Sequence, residues 1–385
     1  IPEAEFLTKE ILNLKKVKPI IIEDLIYRNS IKPDKVILNK CINNKSICIT
    51  GAGGSIGSEL CRQILKYKPH KLLLIENSEE NLYLINNELK ETEFDNIIPI
   101  LGDSRNIKLV QSVFKKHKID IVIHAAAYKH VPLVESNSIV GISNNISSTK
   151  SICKASYEAN IEKFILISSD KAVRPTNIMG ATKRVSELIV QAYANQIAND
   201  HNHKKTTSFS MVRFGNVLNS SGSVVPLFKK QIKNGGPITL TDNNIVRYFM
   251  TIEEAAQLVL QAAELSSGGE LFLLDMGKPI KIRALAEHMI SLSGLSLKDE
   301  KNPNGDIEIK VTGLRPGEKL FEELLIDSKS QKTINKLIFK AKERSIPFDK
   351  LFNKLNMMEK HLAEFDETKV LYLLKELVPE WGNNY

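Results

Sequence analysis

From about residue 46 onward, short β-branched and aliphatic runs alternate with stretches of helical periodicity. Ser46–Thr50, Lys71–Glu76, Asn96–Leu101, Asp120–His124 and Lys163–Ser168 are short apolar runs between turn signals, as buried parallel strands are. Between them apolar residues recur at a spacing near 3.6, as in Val185, Leu188, Ile189 and Ala192, which predicts amphipathic helices. The alternation predicts an α/β fold with a doubly wound parallel sheet covered by helices on both faces. Thr207–Arg213 extends that sheet, so residues 46–217 are expected as one domain.

Past residue 217 the pattern loosens. Gly235-Gly236-Pro237, Gly268-Gly269, Pro303-Asn304-Gly305 and Arg315-Pro316-Gly317 punctuate short elements, with helices expected at Ile252–Leu265 and Ile282–Leu292. Residues 218–330 are therefore expected as a smaller C-terminal substrate-binding region. Residues 331–385 read as helical with charged faces, and residues 1–45 as a lead-in without an obvious core.

Composition narrows the class. Of 385 residues, 42% are hydrophobic and 25% charged, which excludes a disordered chain or a disulfide scaffold. No run of about 18 apolar residues predicts a membrane span, and Ile1–Leu7 lacks a secretory start. Lys and Arg outnumber Asp and Glu by 53 to 45, for a net charge of +8. A basic balance favours an acidic partner, whether nucleic acid, anionic lipid or a phosphorylated small molecule, but the basic residues are dispersed and no nucleic-acid motif accompanies them, so charge alone decides nothing. Cys41, Cys48, Cys61 and Cys153 contain no Cys-x-x-Cys, and His201 and His203 sit in a polar loop. Free thiols and no metal site are expected.

Chemistry begins at Thr50-Gly51-Ala52-Gly53-Gly54-Ser55-Ile56-Gly57, which follows a strand and opens a helix whose expected buried face is Ile56, Leu60 and Ile64. Gly51, Gly54 and Gly57 give the spacing of a dinucleotide loop, with a tight turn, close approach of a pyrophosphate and close helix packing, and the helix N-terminus facing the anion. Glu76 ends the second strand, where a carboxylate accepts from a ribose diol and repels a 2′-phosphate; this favours NAD over NADP. Gly102-Asp103 ends the third strand, with Ser104 next; Asp103 suits either an adenine contact or a helix cap.

His124-Ala125-Ala126-Ala127 after the fourth strand, and Asn145 in the next helix, complete a resemblance to the extended short-chain dehydrogenase/reductase family. That family carries Tyr-x-x-x-Lys, the Tyr moving the substrate hydroxyl proton and the Lys holding the nicotinamide ribose. Here the stretch is Met179-Gly180-Ala181-Thr182-Lys183. Lysine is kept and tyrosine is not, and a thioether transfers no proton. Just upstream, Ser169-Asp170-Lys171 brings a hydroxyl, a carboxylate and an ammonium to the tip of strand five.

Met for Tyr together with Ser-Asp-Lys resembles the long-type, membrane-anchored class of bacterial UDP-N-acetylglucosamine 4,6-dehydratases. Matching stretches recur in order: Ile21–Leu25, His124–Glu135, Arg213–Leu218, Arg247–Thr251 and Gly313–Glu323. Ser169 stands where many members carry Thr, which keeps the hydroxyl.

The resemblance implies tightly bound NAD, regenerated each turnover, and a reaction that oxidises C-4, eliminates water across C-5 and C-6, and returns hydride to C-6 with retention at C-5. It implies Asp170 as acid toward the C-6 hydroxyl, Lys171 as base at C-5, Ser169 at the C-4 oxygen and Lys183 at the cofactor. Asp170, Lys171 and Lys129 all remain candidates for the C-4 hydroxyl proton. Lys129, His130, Asn216, Arg247, Arg315 and Glu318 are implied to hold the UDP-sugar. A homo-oligomer is implied, as is a cytoplasmic location, at the inner membrane where membrane helices precede this unit. The rivals are a 5-inverting dehydratase, a 4-epimerase and a non-catalytic NAD-binding regulator. Met179 argues against the first two and intact Ser169-Asp170-Lys171 against the third.

Overall fold

The computed structural model describes residues 33–200, 204–325 and 330–382. His201, His203, Ile1–Leu7 and the Ile21–Leu25 motif lie outside the described residues. The chain divides into two compact units. The larger takes the described residues up to Phe214, Glu253–Asp275, and those from Glu323 onward; the smaller takes Gly215–Ile252 and Met276–Glu322.

The larger unit is built on one sheet. Its strands in chain order are β1 (Ser46–Thr50), β2 (Lys71–Glu76), β3 (Ile97–Leu101), β4 (Ile121–His124), β5 (Lys163–Ile167), β6 (Ser208–Arg213), β7 (Leu271–Leu274), β8 (Gln331–Lys332) and β9 (Ile338–Ala341). Their spatial order is β8-β9-β7-β6-β5-β4-β1-β2-β3. All neighbours pair in parallel from β3 to β7, and β9 and β8 add antiparallel pairings at the far edge. The order reverses between β1 and β4, so the carboxyl ends of those two strands open a crevice at the switch point. β1, β4 and all but the first residue of β2 and β5 are buried, as strands covered on both faces must be.

The longer helices of this unit are α1 (Lys35–Ile42), α2 (Ser55–Leu65), α3 (Glu79–Lys90), α4 (Ile107–His117), α5 (Ser148–Ala159), α6 (Ile178–Ala198), α7 (Ile252–Leu265), α8 (Phe348–Ala363) and α9 (Glu367–Leu377). α1 gives the lead-in a core face after all: Asp34 caps it through the N–H groups of Val36 and Ile37, and Leu38, Cys41 and Ile42 are buried. The last 55 residues supply two strands to the sheet as well as α8 and α9. Leu351, Leu355, Met358, Val370, Leu374 and Trp381 pack into the same core as α6. That is why all of α6 from Ile178 to Ala194 is buried.

In the smaller unit, helices Val224–Lys233 and Ile282–Leu292 close over a three-stranded sheet in which Ile307–Val311 lies between Leu297–Lys298 and Ile238–Leu240. Val225, Phe228, Ile238, Leu285, Met289 and Ile307 form its core.

Candidate active site

The loop after β1 is shaped by glycines that nothing else could replace. A Cβ on Gly57 would lie 2.0 Å from the Gly51 carbonyl oxygen, and one on Gly51, where φ is +66°, would lie 2.8 Å from the Ala126 backbone. Gly53 is equally confined, against Asn81 at 2.5 Å. α2 then buries Gly57, Leu60, Cys61 and Ile64, while Ile56 is only half-buried, so the glycine occupies the place expected for the isoleucine.

A cleft at the switch point is lined by Gly51, Gly54, Glu76, Ser104, Ala125, Ala126 and Ala127, together with Asn77, Asn81, Tyr128 and Asn144. Glu76 is buried, and its carboxylate accepts from the N–H groups of Gly53 at 3.0 Å, Asn77 at 2.9 Å and Ser78 at 3.1 Å. It therefore ties the end of β2 to the glycine loop. Asp103 is not a helix cap: Asn106 caps α4. The Asp103 carboxylate instead accepts from the Arg105 N–H and guanidinium at 2.8 Å. Burial alone would raise its pKa, but the Arg105 hydrogen bonds and charge prevail and hold it below the ordinary carboxylate value.

Beneath the loop, Thr50 Oγ1 meets His124 Nδ1 at 2.7 Å, and Thr149 lies 3.2 Å from Nε2. Burial, then the charge of Lys183, pushes His124 down to about 3, so it stays neutral. Asn145 sits in a π-helical turn (Ser143–Ser147). Its Oδ1 accepts from the Tyr128 N–H at 2.7 Å and its Nδ2 donates to the Tyr128 carbonyl at 3.0 Å and Thr182 Oγ1 at 2.9 Å. Asn145 thus fixes the loop that carries Lys129, which is exposed, and His130, which is half-buried.

Ser169, Asp170 and Lys171 form one tight turn at the tip of β5. Ser169 Oγ donates to Asp170 Oδ1 at 2.8 Å, and Lys171 Nζ reaches the same oxygen at 3.0 Å. Asp170 is fully buried and its other oxygen, Oδ2, has no hydrogen-bond partner. A buried carboxylate oxygen left unpaired is costly in a finished structure and useful in a site that must accept or deliver a proton. Gly180 permits the approach of α6, since a Cβ there would lie 2.2 Å from the Lys171 carbonyl oxygen. Asn177 caps the helix through the Gly180 N–H at 2.8 Å.

Met179 is buried in the core, and Lys183, one turn on, donates from Nζ to the Ile167 carbonyl at 3.0 Å. Burial pushes Lys183 down to about 8 despite the nearby charge of Glu187. Sequence reasoning missed Glu187, Arg184, Arg213 and Glu343, which pack charge beneath this turn. The available signal was charge in apolar surroundings: Arg213 inside a strand, Glu187 on a helix that is buried all round. Burial would raise the Glu187 pKa, but Arg213 first and Arg184 next hold it below the usual range.

Asn216, Arg247, Arg315 and Glu318 belong to the smaller unit. Arg247 is largely buried and donates to the carbonyls of Val246 at 2.8 Å and Leu320 at 3.2 Å, with Glu318 Oε1 at 3.5 Å. Glu318 also accepts from the Arg315 N–H at 3.3 Å, which leaves the exposed Arg315 side chain outside that contact. Asn216 donates its N–H to the Tyr248 carbonyl at 3.1 Å. Among the described residues no cluster of metal-ligand type occurs, and all four cysteines are free and buried.

The reversed strand order, the glycine loop and the lysine on α6 define a Rossmann-type protein of the extended short-chain dehydrogenase/reductase kind. The chain belongs to the polysaccharide biosynthesis protein family, which matches residues 47–343. It is 49% identical over 318 residues to the capsular polysaccharide biosynthesis protein CapD of Staphylococcus aureus, covering 82% of this chain and 50% of CapD; it spans about half the length of that relative. It is 35% identical to a UDP-N-acetylglucosamine 4,6-dehydratase (inverting) of Campylobacter jejuni, over 76% of this chain and 80% of that one. The solved structure of Pen from Bacillus thuringiensis superposes with a TM-score of 0.69 at 32% identity, over 82% of this chain and 98% of that one.

Proposed function

We propose that the chain is an NAD-dependent UDP-N-acetylglucosamine 4,6-dehydratase that retains configuration at C-5. The observation that carries this reading is the Ser169-Asp170-Lys171 turn: a fully buried carboxylate with one unpaired oxygen, beside an ammonium and a hydroxyl, in the unit that also holds a dinucleotide loop. A binding protein has no use for such a turn.

The cleft fits NAD on its own terms. Gly51 and Gly57 let the loop pack against the Ala126 backbone and against itself, which keeps the turn tight and the start of α2 at the cleft, and the buried Glu76 carboxylate disfavours a 2′-phosphate. Gly51, Gly54, Ser55, Ile56 and Gly57 would hold the pyrophosphate, Glu76 the ribose diol, Asp103 and Ser104 the adenine side, and Ala125–Ala127, Asn145 and Lys183 the nicotinamide side. When bound, NAD supplies reversible hydride acceptance, which makes a C-4 ketone available and thereby acidifies C-5.

The chain's own residues do the rest. A proton first passes from the Lys171 ammonium to the Asp170 carboxylate, 3.0 Å away; Lys171 then takes the C-5 proton while Asp170 protonates the departing C-6 hydroxyl, so one water leaves and a C-5–C-6 double bond forms. Lys171 then returns the proton to C-5, at the carbon next to the one that would receive hydride from bound NAD. Ser169 hydrogen-bonds the C-4 oxygen, and Lys183 orients the nicotinamide ribose. Lys129, His130, Asn216, Arg247, Arg315 and Glu318 are assigned to the sugar and its diphosphate, where arginine suits phosphate oxygens.

A second reading, inversion at C-5, is favoured by the name of the Campylobacter jejuni relative. Met179, where inverting enzymes and 4-epimerases usually keep Tyr, favours retention. Product stereochemistry at C-5, read by proton NMR, separates the two.

A further inference from the structure

Beneath the Ser169–Lys171 turn lies a cluster of buried charge that the reaction above does not use. Glu187 accepts from Ser168 Oγ at 2.6 Å, from Arg213 Nε and Nη2 at 2.6 Å each, and from Arg184 Nη1 at 3.0 Å. Glu343 takes both Nη groups of Arg213 at 2.7 Å, and Glu380 takes Arg184 Nε at 3.2 Å. Three carboxylates thus face two guanidiniums. Well-packed apolar residues would stabilise the fold at least as well as such a cluster, so stability alone does not account for it.

Its reach toward the site does. Lys183 and Glu187 stand four residues apart on one face of α6 and grip consecutive residues at the end of β5: Lys183 holds the Ile167 carbonyl, Glu187 the Ser168 hydroxyl. The Ser168 N–H is in turn fixed to the Val212 carbonyl at 2.8 Å. The next residue, Ser169, begins the turn. Ser168 is buried, so its hydroxyl faces the cluster and not the substrate.

We propose that Ser168 is a positioning residue: held by Glu187 in a charge-assisted hydrogen bond, it fixes the strand end from which Ser169, Asp170 and Lys171 project. The inference rests on the assignment of Asp170 and Lys171 in the dehydratase reading. The ion cluster is the anchor, and Glu343, on the last segment of the chain, completes it.

The test is Ser168→Ala, made in the NAD-loaded protein. It cuts the link and leaves every ion pair in place. Misplacing the acid–base pair by a fraction of an ångström lowers kcat with UDP-N-acetylglucosamine by about 10- to 100-fold. KM, bound NAD and melting temperature stay as in the parent, and amide exchange at Lys171–Val173 accelerates. Glu343→Gln, which neutralises the surplus carboxylate, gives a smaller loss of kcat and adds nothing to the Ser168→Ala variant, because both act through one chain of contacts. A parental kcat with unchanged exchange in Ser168→Ala overturns the proposal. So does a parallel fall in kcat, NAD content and melting temperature, which marks a purely structural role. Should the parent itself not turn over the nucleotide-sugar, the dehydratase reading fails, while the exchange comparison still decides whether Ser168 orders the turn.

Discussion

The glycine loop after β1 and the Ser169-Asp170-Lys171 turn after β5 both follow the carboxyl ends of interior strands of one sheet, yet they are held by different means. The loop is shaped by missing side chains and by backbone groups: Gly51 donates its N–H to the Ile75 carbonyl at 2.8 Å, and Glu76 gathers three N–H groups. The turn has backbone bonds of its own, and side chains anchor the strand end before it, through Glu187, Arg213 and Glu343, with Arg213 and Glu343 130 residues apart in sequence. Anion binding asks for oriented N–H dipoles and empty space. Proton transfer asks for a few desolvated groups at fixed positions, and those need neighbours to fix them.

The difference can be broken at either end. Asp170→Asn keeps the shape of the turn and removes its proton; kcat falls by about 1,000-fold in a steady-state assay, with bound NAD unchanged. Gly57→Ala attacks the loop instead. With its Cβ 2.0 Å from a carbonyl oxygen the backbone must move, costing about 3 kcal/mol of stability, read as a lower melting temperature, and releasing NAD during purification.

Glu76→Gln is milder. It exchanges one accepting oxygen for a donor facing backbone N–H groups, so NAD affinity falls about tenfold by titration and discrimination against NADP shrinks with it.

The remaining effect is electrostatic, negligible at neutral pH, and belongs to the loop's foundation. His124 is held neutral, its pKa lowered from 6.5 to about 3. The unfolded chain therefore binds a proton that the folded one refuses, and stability falls as pH drops from 6.5 toward 3. His124→Asn removes that part of the pH dependence, seen by comparing denaturant midpoints of parent and variant across the window.

Much of the frame was legible because its signals are local. Ser46–Thr50 and Lys71–Glu76 coincide with their expected runs, Ile252–Leu265 and Ile282–Leu292 with their helices, and the other four expected strands differ by a single end residue, whereas β7, β8 and β9 were not expected as strands. β8 was not legible. Gln331 and Lys332 are exposed and carry no apolar pattern, so only pairing with β9 makes them a strand. The core face of α1 was hidden too, since three buried residues in eight leave a weak period until the sheet is there to receive them.

At the site, the glycine spacing and the Ser-Asp-Lys triplet stood out in sequence, while the anchor of the triplet did not. Glu187 and Arg213 are single charges in apolar runs, and their pairing exists only once α6, β6 and the C-terminal segment have packed together.

The most direct test of the account is proton NMR of the purified protein with UDP-N-acetylglucosamine in deuterated water and no added NAD. A new C-6 methyl signal, deuterium at C-5 and retained configuration there are expected, from cofactor that travels with the protein. A C-4 epimer without a methyl signal, or unchanged substrate even after NAD is supplied, would contradict it.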